Sequence, residues 1–145
     1  MGGYSNSNIS GDKTEDCNGY YDYWIVKTDN LGIILWENTM GGSSEDRLYS
    51  IVQTNDGGYI LGGFSASTIS GDKTENCHGG YDNWIVKTDS IGDIIWQNTI
   101  GGSGQDYLYS LVQTIDGGIF WPEFLIPIFP LIKLKIVLVV VIIGL

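Results

Sequence analysis

The chain has 145 residues, with seven basic and seventeen acidic side chains giving a net charge of −10. That length suffices for one domain burying roughly 70% of its extended-chain surface, and that charge repels phosphate backbones, which argues against nucleic acid as a partner. Twenty-one glycines, nine tyrosines and five tryptophans beside three prolines predict a turn-rich all-β chain rather than a disordered one.

Met1-Gly2-Gly3 opens without a basic segment or an apolar run, so no signal peptide is read in this chain. Asn6 stands where a myristoylation start requires Ser or Thr. From Gly3, GYSNSNISGDKTEDCNGYYDYWIVKTD returns at Gly63 as GFSASTISGDKTENCHGGYDNWIVKTD. From Gly32, GIILWENTMGGSSEDRLYSIVQTNDGG returns at Gly92 as GDIIWQNTIGGSGQDYLYSLVQTIDGG. The period is 60 residues without a gap. Two tandem repeats, residues 2–60 and 61–118, therefore precede an apolar tail, residues 119–145.

In the first copy, runs rich in β-branched and aromatic residues predict four antiparallel strands, near residues 23–28, 33–39, 47–54 and 59–65. Gly32 and Gly92 sit where a short hairpin loop needs a positive φ. Asp56-Gly57 marks a tight turn for which type I′ geometry is expected. Alternation puts Trp24 and Val26 on one face, and Ile34, Trp36 and Met40 on one face of the next strand, both expected to be core. The two copies are expected to form superposable sheets, with Trp24 matching Trp84 and Trp36 matching Trp96. Because Met1-Gly2-Gly3 aligns with Leu61-Gly62-Gly63, the chain is expected to start inside a strand, as part of a longer reading frame.

Four antiparallel strands per repeat is the plan of a propeller blade. The stretch DYWIVKTDNLGIILWENTMGGSSEDRLYSIVQTNDGGYILGGFS resembles the repeats of large secreted bacterial and archaeal β-propeller proteins, in which W-I-V-K-x-D-x-x-G-x-x-x-W and D-G-G-Y-I-L-x-G recur. KTDNLGIILW is similar, more weakly, to the tryptophan-docking repeats of quinoprotein-like propellers. The first resemblance covers residues 2–118 and implies an incomplete β-propeller fragment from an extracellular or cell-surface parent protein. Such repeats serve mostly as scaffold, so the resemblance implies no activity and no cofactor. Propellers close with about 4 to 8 blades, so further blades of the parent protein are the expected partners.

Few residues offer chemistry. SGDKTEDCNGYYD gathers Asp12, Glu15, Asp16 and Asp22, and its second copy gathers Asp72, Glu75 and Asp82 with Asn76, oxygen ligands of a kind that suits calcium. The spacing is not that of an EF-hand and Asp16 becomes Asn76, so a solvated acidic loop is preferred and no metal is assigned. Cys17 and Cys77 occupy the same place in successive copies, too far apart for a disulfide, and free thiols are expected. His78 is the only histidine and faces Asn18 in the other copy, which leaves no material for a zinc site or a Ser-His-Asp triad. Asp46 with Tyr49 is a pairing that could line a sugar site, against the preferred reading of such tyrosines as packing residues.

The tail breaks the period. Codons for Ile132 to Ile136 can be ATA AAA CTG AAA ATT, and regrouped one base earlier, after a TTG for Leu131, they read Asp-Lys-Thr-Glu-Asn, the text of residues 72–76. Residues 125–130 can likewise hide Asn-Ser-Asn-Ile-Ser, and residues 141–145 Asp-Tyr-Trp-Ile. The reading fails only at 122, 124, 131, 138 and 141. The tail is therefore read as a third repeat in the wrong frame. Lys133 and Lys135 split its apolar run below the 20 or so residues a spanning helix needs, and Pro122, Pro127 and Pro130 oppose a continuous helix, although hydropathy alone marks it as transmembrane.

Two function classes follow. The first is a noncatalytic scaffold or recognition segment of a secreted or cell-surface propeller, for glycans or protein partners. The second is a fragment of a propeller enzyme, quinoprotein-like or glycan-cleaving, or a surface protein with a C-terminal membrane anchor. Near-identical loops in both copies favour the first, because catalytic sites break repeat symmetry.

Overall fold

The computed structural model describes residues 1–121. The reading of residues 122–145 as a misframed repeat or an anchor lies outside them. The described chain is all-β and antiparallel. Its strands are β1 (Gly2–Ser5), β2 (Asp22–Thr28), β3 (Ile34–Met40), β4 (Asp46–Gln53), β5 (Tyr59–Ser65), β6 (Asp82–Thr88), β7 (Ile94–Ile100), β8 (Val112–Gln113) and β9 (Ile119–Phe120). They form sheets in the orders β1-β2-β3, β4-β5-β6-β7 and β8-β9. No helix among the described residues is long and apolar enough to cross a membrane.

The sheets are not divided where the sequence repeats. The four strands expected for the first copy are split: β2 and β3 close the first sheet, while β4 and β5 open the second. The cause lies in the connections. Residues 66–81 form a long loop, yet β5 and β6 stay paired along their whole length from Tyr59↔Thr88 to Ser65↔Asp82. The short Gly-Gly segment at 41–45 carries the chain from one sheet to the next, and a Cβ at Gly42 would fall 2.5 Å from that of Ser67. The bare backbone there lets consecutive sheets approach.

The copies match strand for strand where both are complete. Trp24 lies opposite Gly3 and Thr39, and Trp84 opposite Gly63 and Thr99. Trp36 and Trp96 lie opposite Lys27 and Lys87, beside the same bulge. The match stops at β8, which has two residues where β4 has eight. Residues equivalent to Gly62–Ser65, the partners of Ser50 to Asp46, would be 122–125, where the sequence no longer repeats.

Both turn types have one solution. Gly32 donates its N–H to Asp29 O and Asp29 to Ile33 O, and Gly57 and Thr54 do the same with Thr54 O and Gly58 O. Gly32, Gly57 and Gly92 have φ of 84°, 85° and 94°, while among the described residues no other residue type has positive φ. Asp56 is thus not in the left-handed region, and the Asp-Gly turn is a three-residue loop ending in a glycine bulge rather than type I′. The extra residue in the loop accounts for the difference.

β5 and β6 are buried on both faces because sheets stack. Tyr23, Ile25 and Met40 of the first sheet pack against Leu61, Trp84 and Val86 of the second. The other face of the second sheet, Ile60 and Ile85, packs against Leu108 and Leu111. The Tyr23 hydroxyl donates to Trp84 O at 2.9 Å, with ring centroids 4.7 Å apart. The expectation for Trp24 and Val26 holds at Val26, which is buried, and for their equivalents Trp84 and Val86, which are fully buried, but not at Trp24, which is half-buried and lines an open groove with Met1, Gly2, Gly3, Tyr4 and Val26. No sheet covers that face among the described residues. Met40 is buried and Trp36 half-buried, while Ile34 is exposed, since β3 is an edge strand. The sheets come closest where β4 lies against β1 and β2.

Candidate functional site

The acidic loops are built from their own carboxylates. Asp16 accepts the Ile9 N–H at 2.9 Å, and Asn76 accepts the Ile69 N–H at 2.9 Å through its amide oxygen. A carbonyl suffices, which explains why Asp and Asn alternate here. Glu15 accepts Thr39 N at 2.6 Å, and Glu75 accepts Thr99 N at 2.5 Å. Asp22 accepts Asn18 N at 2.5 Å, and Asp82 likewise accepts His78 N. Lys13 and Lys73 are buried beneath these loops and donate to Thr39 and Thr99. Lys73 lies 5.2 Å from the Trp84 ring centroid, and burial lowers its pKa. One oxygen of each of these acceptors is thus committed to a backbone N–H. Among the described residues no group of three or more His, Cys, Asp or Glu is placed to hold a metal ion.

Asp72 is used differently. Its Oδ2 accepts Gly41 N and Asn18 Nδ2, both at 3.1 Å, and Ser70 Oγ and Ser67 Oγ accept Ser43 N and Ser44 N at 2.8 and 2.9 Å. The loop between β5 and β6 therefore clamps the crossover leaving the first sheet. Asp12, the equivalent of Asp72, is exposed.

Three acids of this junction are poor anions. Burial, reinforced by Asp46 and Asp72, raises Asp22 to about 6 against hydrogen bonds from Asn18 and Gly19. Burial likewise raises Asp46 and Asp72. The Oδ1 atoms of Asp22, Asp46 and Asp82 are buried and unpaired among the described residues.

The remaining candidates separate. Cys17 and Cys77 are free. Their thiols donate to Ser5 O at 3.1 Å and Ser65 O at 3.0 Å, and burial raises both, so neither is an activated nucleophile. Asp46 does not join Tyr49: it is fully buried, accepting Gly42 N at 2.7 Å and Ser67 Oγ at 2.8 Å. Tyr49 sits instead at the β4 bulge between Leu48 and Ser50, in an aromatic row that sequence spacing did not disclose. It stacks on Phe64 at 5.3 Å and meets Tyr109 at 5.0 Å and Tyr4 at 5.8 Å. Arg47 lies 5.0 Å from the Tyr4 ring and 4.9 Å from the Tyr21 ring, pairs with Glu45, and Glu45 accepts the Tyr81 hydroxyl at 2.6 Å. Tyr49 stays 39% exposed although Tyr4 and Tyr109 flank it, so the open end of the stack does not cause its exposure. The available signal was the recurrence of aromatics at 4 and 64, 21 and 81, and 49 and 109.

No family model matches the chain, and no curated protein matches it.

Proposed function

We propose that this chain is a noncatalytic scaffold and recognition segment of a larger secreted or cell-surface β-propeller protein, with further blades of that protein as its partners. One observation supports the reading: consecutive sheets stack face to face and approach each other along one side, where β4 meets β1 and β2. Wedge-shaped stacking turns successive sheets about an axis, whereas parallel stacking extends them in a line. The convergent side carries the aromatic row of Tyr4, Tyr49 and Tyr109 with the Arg47–Glu45 pair, a surface suited to sugar faces or peptide side chains. The near-identity of the loops between copies fits a scaffold better than a catalytic centre.

Small-angle scattering from concatenated copies of residues 41–100 tests the reading. A propeller gives a radius of gyration that levels off as the ring closes at about 4 to 8 units. Linear growth with copy number would overturn it.

A further inference from the structure

Within the chain, one sheet docks on the next through four features related by the 60-residue period. Residues 106–111 already lie on the second sheet as β4 lies on the first: Leu108 and Leu111 meet the position of a Gly62 Cβ, as Leu48 and Ile51 meet that of Gly2. Yet 106–111 pair with no strand among the described residues, and nothing described pairs with the edge of β1 away from β2. In the complete sheet that edge, on β5, is held by β4 in the register Asp46↔Ser65, Arg47↔Phe64. The first sheet has three strands of the four, and residues 106–113 repeat the missing one.

We propose that residues 106–111 of one copy of this chain pair antiparallel with β1 of a second copy, in the register Asp106↔Ser5 and Tyr107↔Tyr4, completing its first sheet. This goes beyond the scaffold reading and does not depend on ring closure in the parent protein. The other three features agree. Trp36 packs over Gly92, where a Cβ would lie 3.0 Å from its ring, and Asn38 Nδ2 donates to Gly92 O at 2.9 Å. Their equivalents Trp96 and Asn98 meet no such turn among the described residues, while Gly32 offers the same positive φ with no atom within 4 Å. Asp72 caps Gly41 N; the exposed Asp12 is poised to cap Gly101 N of the other copy. Ile85 and Ile100 stand for Ile25 and Met40 and cover the groove beside Trp24 and Val26. Several positions depart, among them His78 for Asn18 and Tyr107 for Arg47; Asn83, which replaces Tyr23, forfeits the ring contact with tryptophan and makes the contact between copies weaker than the one within a chain. Such a heterologous contact adds copies head to tail, and its backbone pairing is strand addition at an exposed edge.

The test uses the full chain with Cys17→Ser and Cys77→Ser. Copies carrying Tyr4→Cys are mixed with tagged copies carrying Tyr107→Cys and oxidised, so only contact between chains yields the mixed disulfide. The matched pair should cross-link on the order of tenfold faster than Ile95→Cys with Tyr107→Cys, because pairing raises the effective concentration of the matched thiols. Non-specific association raises both rates alike, so equal rates overturn the proposal. A second measurement needs no cysteine: sedimentation of the unmodified chain should show a head-to-tail series that Asp12→Ala shortens, with the β-sheet spectrum of the parent. Identical sedimentation of the two also overturns it.

Discussion

Replacing Asp22 with Asn should make the fold more stable at neutral pH and should remove a specific part of its pH dependence. Asp22 is fully buried, with one oxygen on Asn18 N and the other unpaired. Its pKa rises from 3.8 to about 6, chiefly by burial and then by the charges of Asp46 and Asp72. A carboxyl whose folded pKa exceeds its unfolded value binds more protons when folded. Its contribution is therefore greatest below about pH 4 and is lost as pH rises through about 6. Two pKa units at 1.36 kcal/mol each correspond to about 3 kcal/mol. An Asn oxygen accepts the same Asn18 N–H, so the variant keeps the cap and loses the buried charge. Urea unfolding of parent and Asp22→Asn between pH 4 and pH 7.5 should give nearly equal stabilities at the acid end and a gap of up to about 3 kcal/mol in favour of the variant at the other. Curves that run parallel, or a gap that opens on acidification, would refute the assignment of the buried charge to Asp22.

Gly32→Ala and Gly92→Ala should separate backbone strain from packing. Both positions have positive φ and lose about 1 kcal/mol for it, but only Gly92 puts its new methyl against Trp36, so its loss in urea unfolding should be about twice as large. Tyr23→Phe keeps the ring contact and removes the bond to Trp84 O; a loss of about 1 kcal/mol in thermal or urea unfolding is expected. In the genomic DNA, the frame one base earlier after codon 118 should encode a third copy containing Asp-Lys-Thr-Glu-Asn. Stops throughout that frame would return residues 119–145 to the anchor reading.

Strand identity and turn glycines were legible because they depend on local chemistry: alternation, β-branching and a φ that only glycine takes readily. Sheet membership was not, because a repeat has no marked beginning. The period is the same whether a unit is cut at Gly3 or at Gly41, and only the packing of the Gly41-Gly42 crossover shows which cut matches a sheet. The expectation of a core position failed at Trp24, though not at Val26, for a related reason. Alternation names the apolar face of a strand covered on one side, whereas β2 and β6 are apolar on both. Of the acidic loop, composition was legible and purpose was not. Asp12 and Asp72 are identical letters, and one is exposed while the other caps Gly41 N.

That contrast explains why the loops are conserved between copies beyond what their own folding demands. Glu15 and Glu75, Lys13 and Lys73, and Asp16 and Asn76 serve the sheet that carries them, so each copy needs them independently. Ser67, Ser70 and Asp72 serve the preceding crossover, and within residues 1–121 no crossover precedes Ser7, Ser10 and Asp12. Ser10 Oγ donates to Asn8 O within its own loop, as Ser70 Oγ does to Thr68 O, but folding of the first sheet alone gives no reason to keep Asp12 identical to Asp72. A repeat whose loops always meet another crossover does, whether that crossover comes from the same chain or from a second copy. Loss of stability on Asp72→Ala with none on Asp12→Ala would separate the two roles in a single pair of melts. Equal losses would mean that Asp12 supports its own sheet, and the argument from identity would fail.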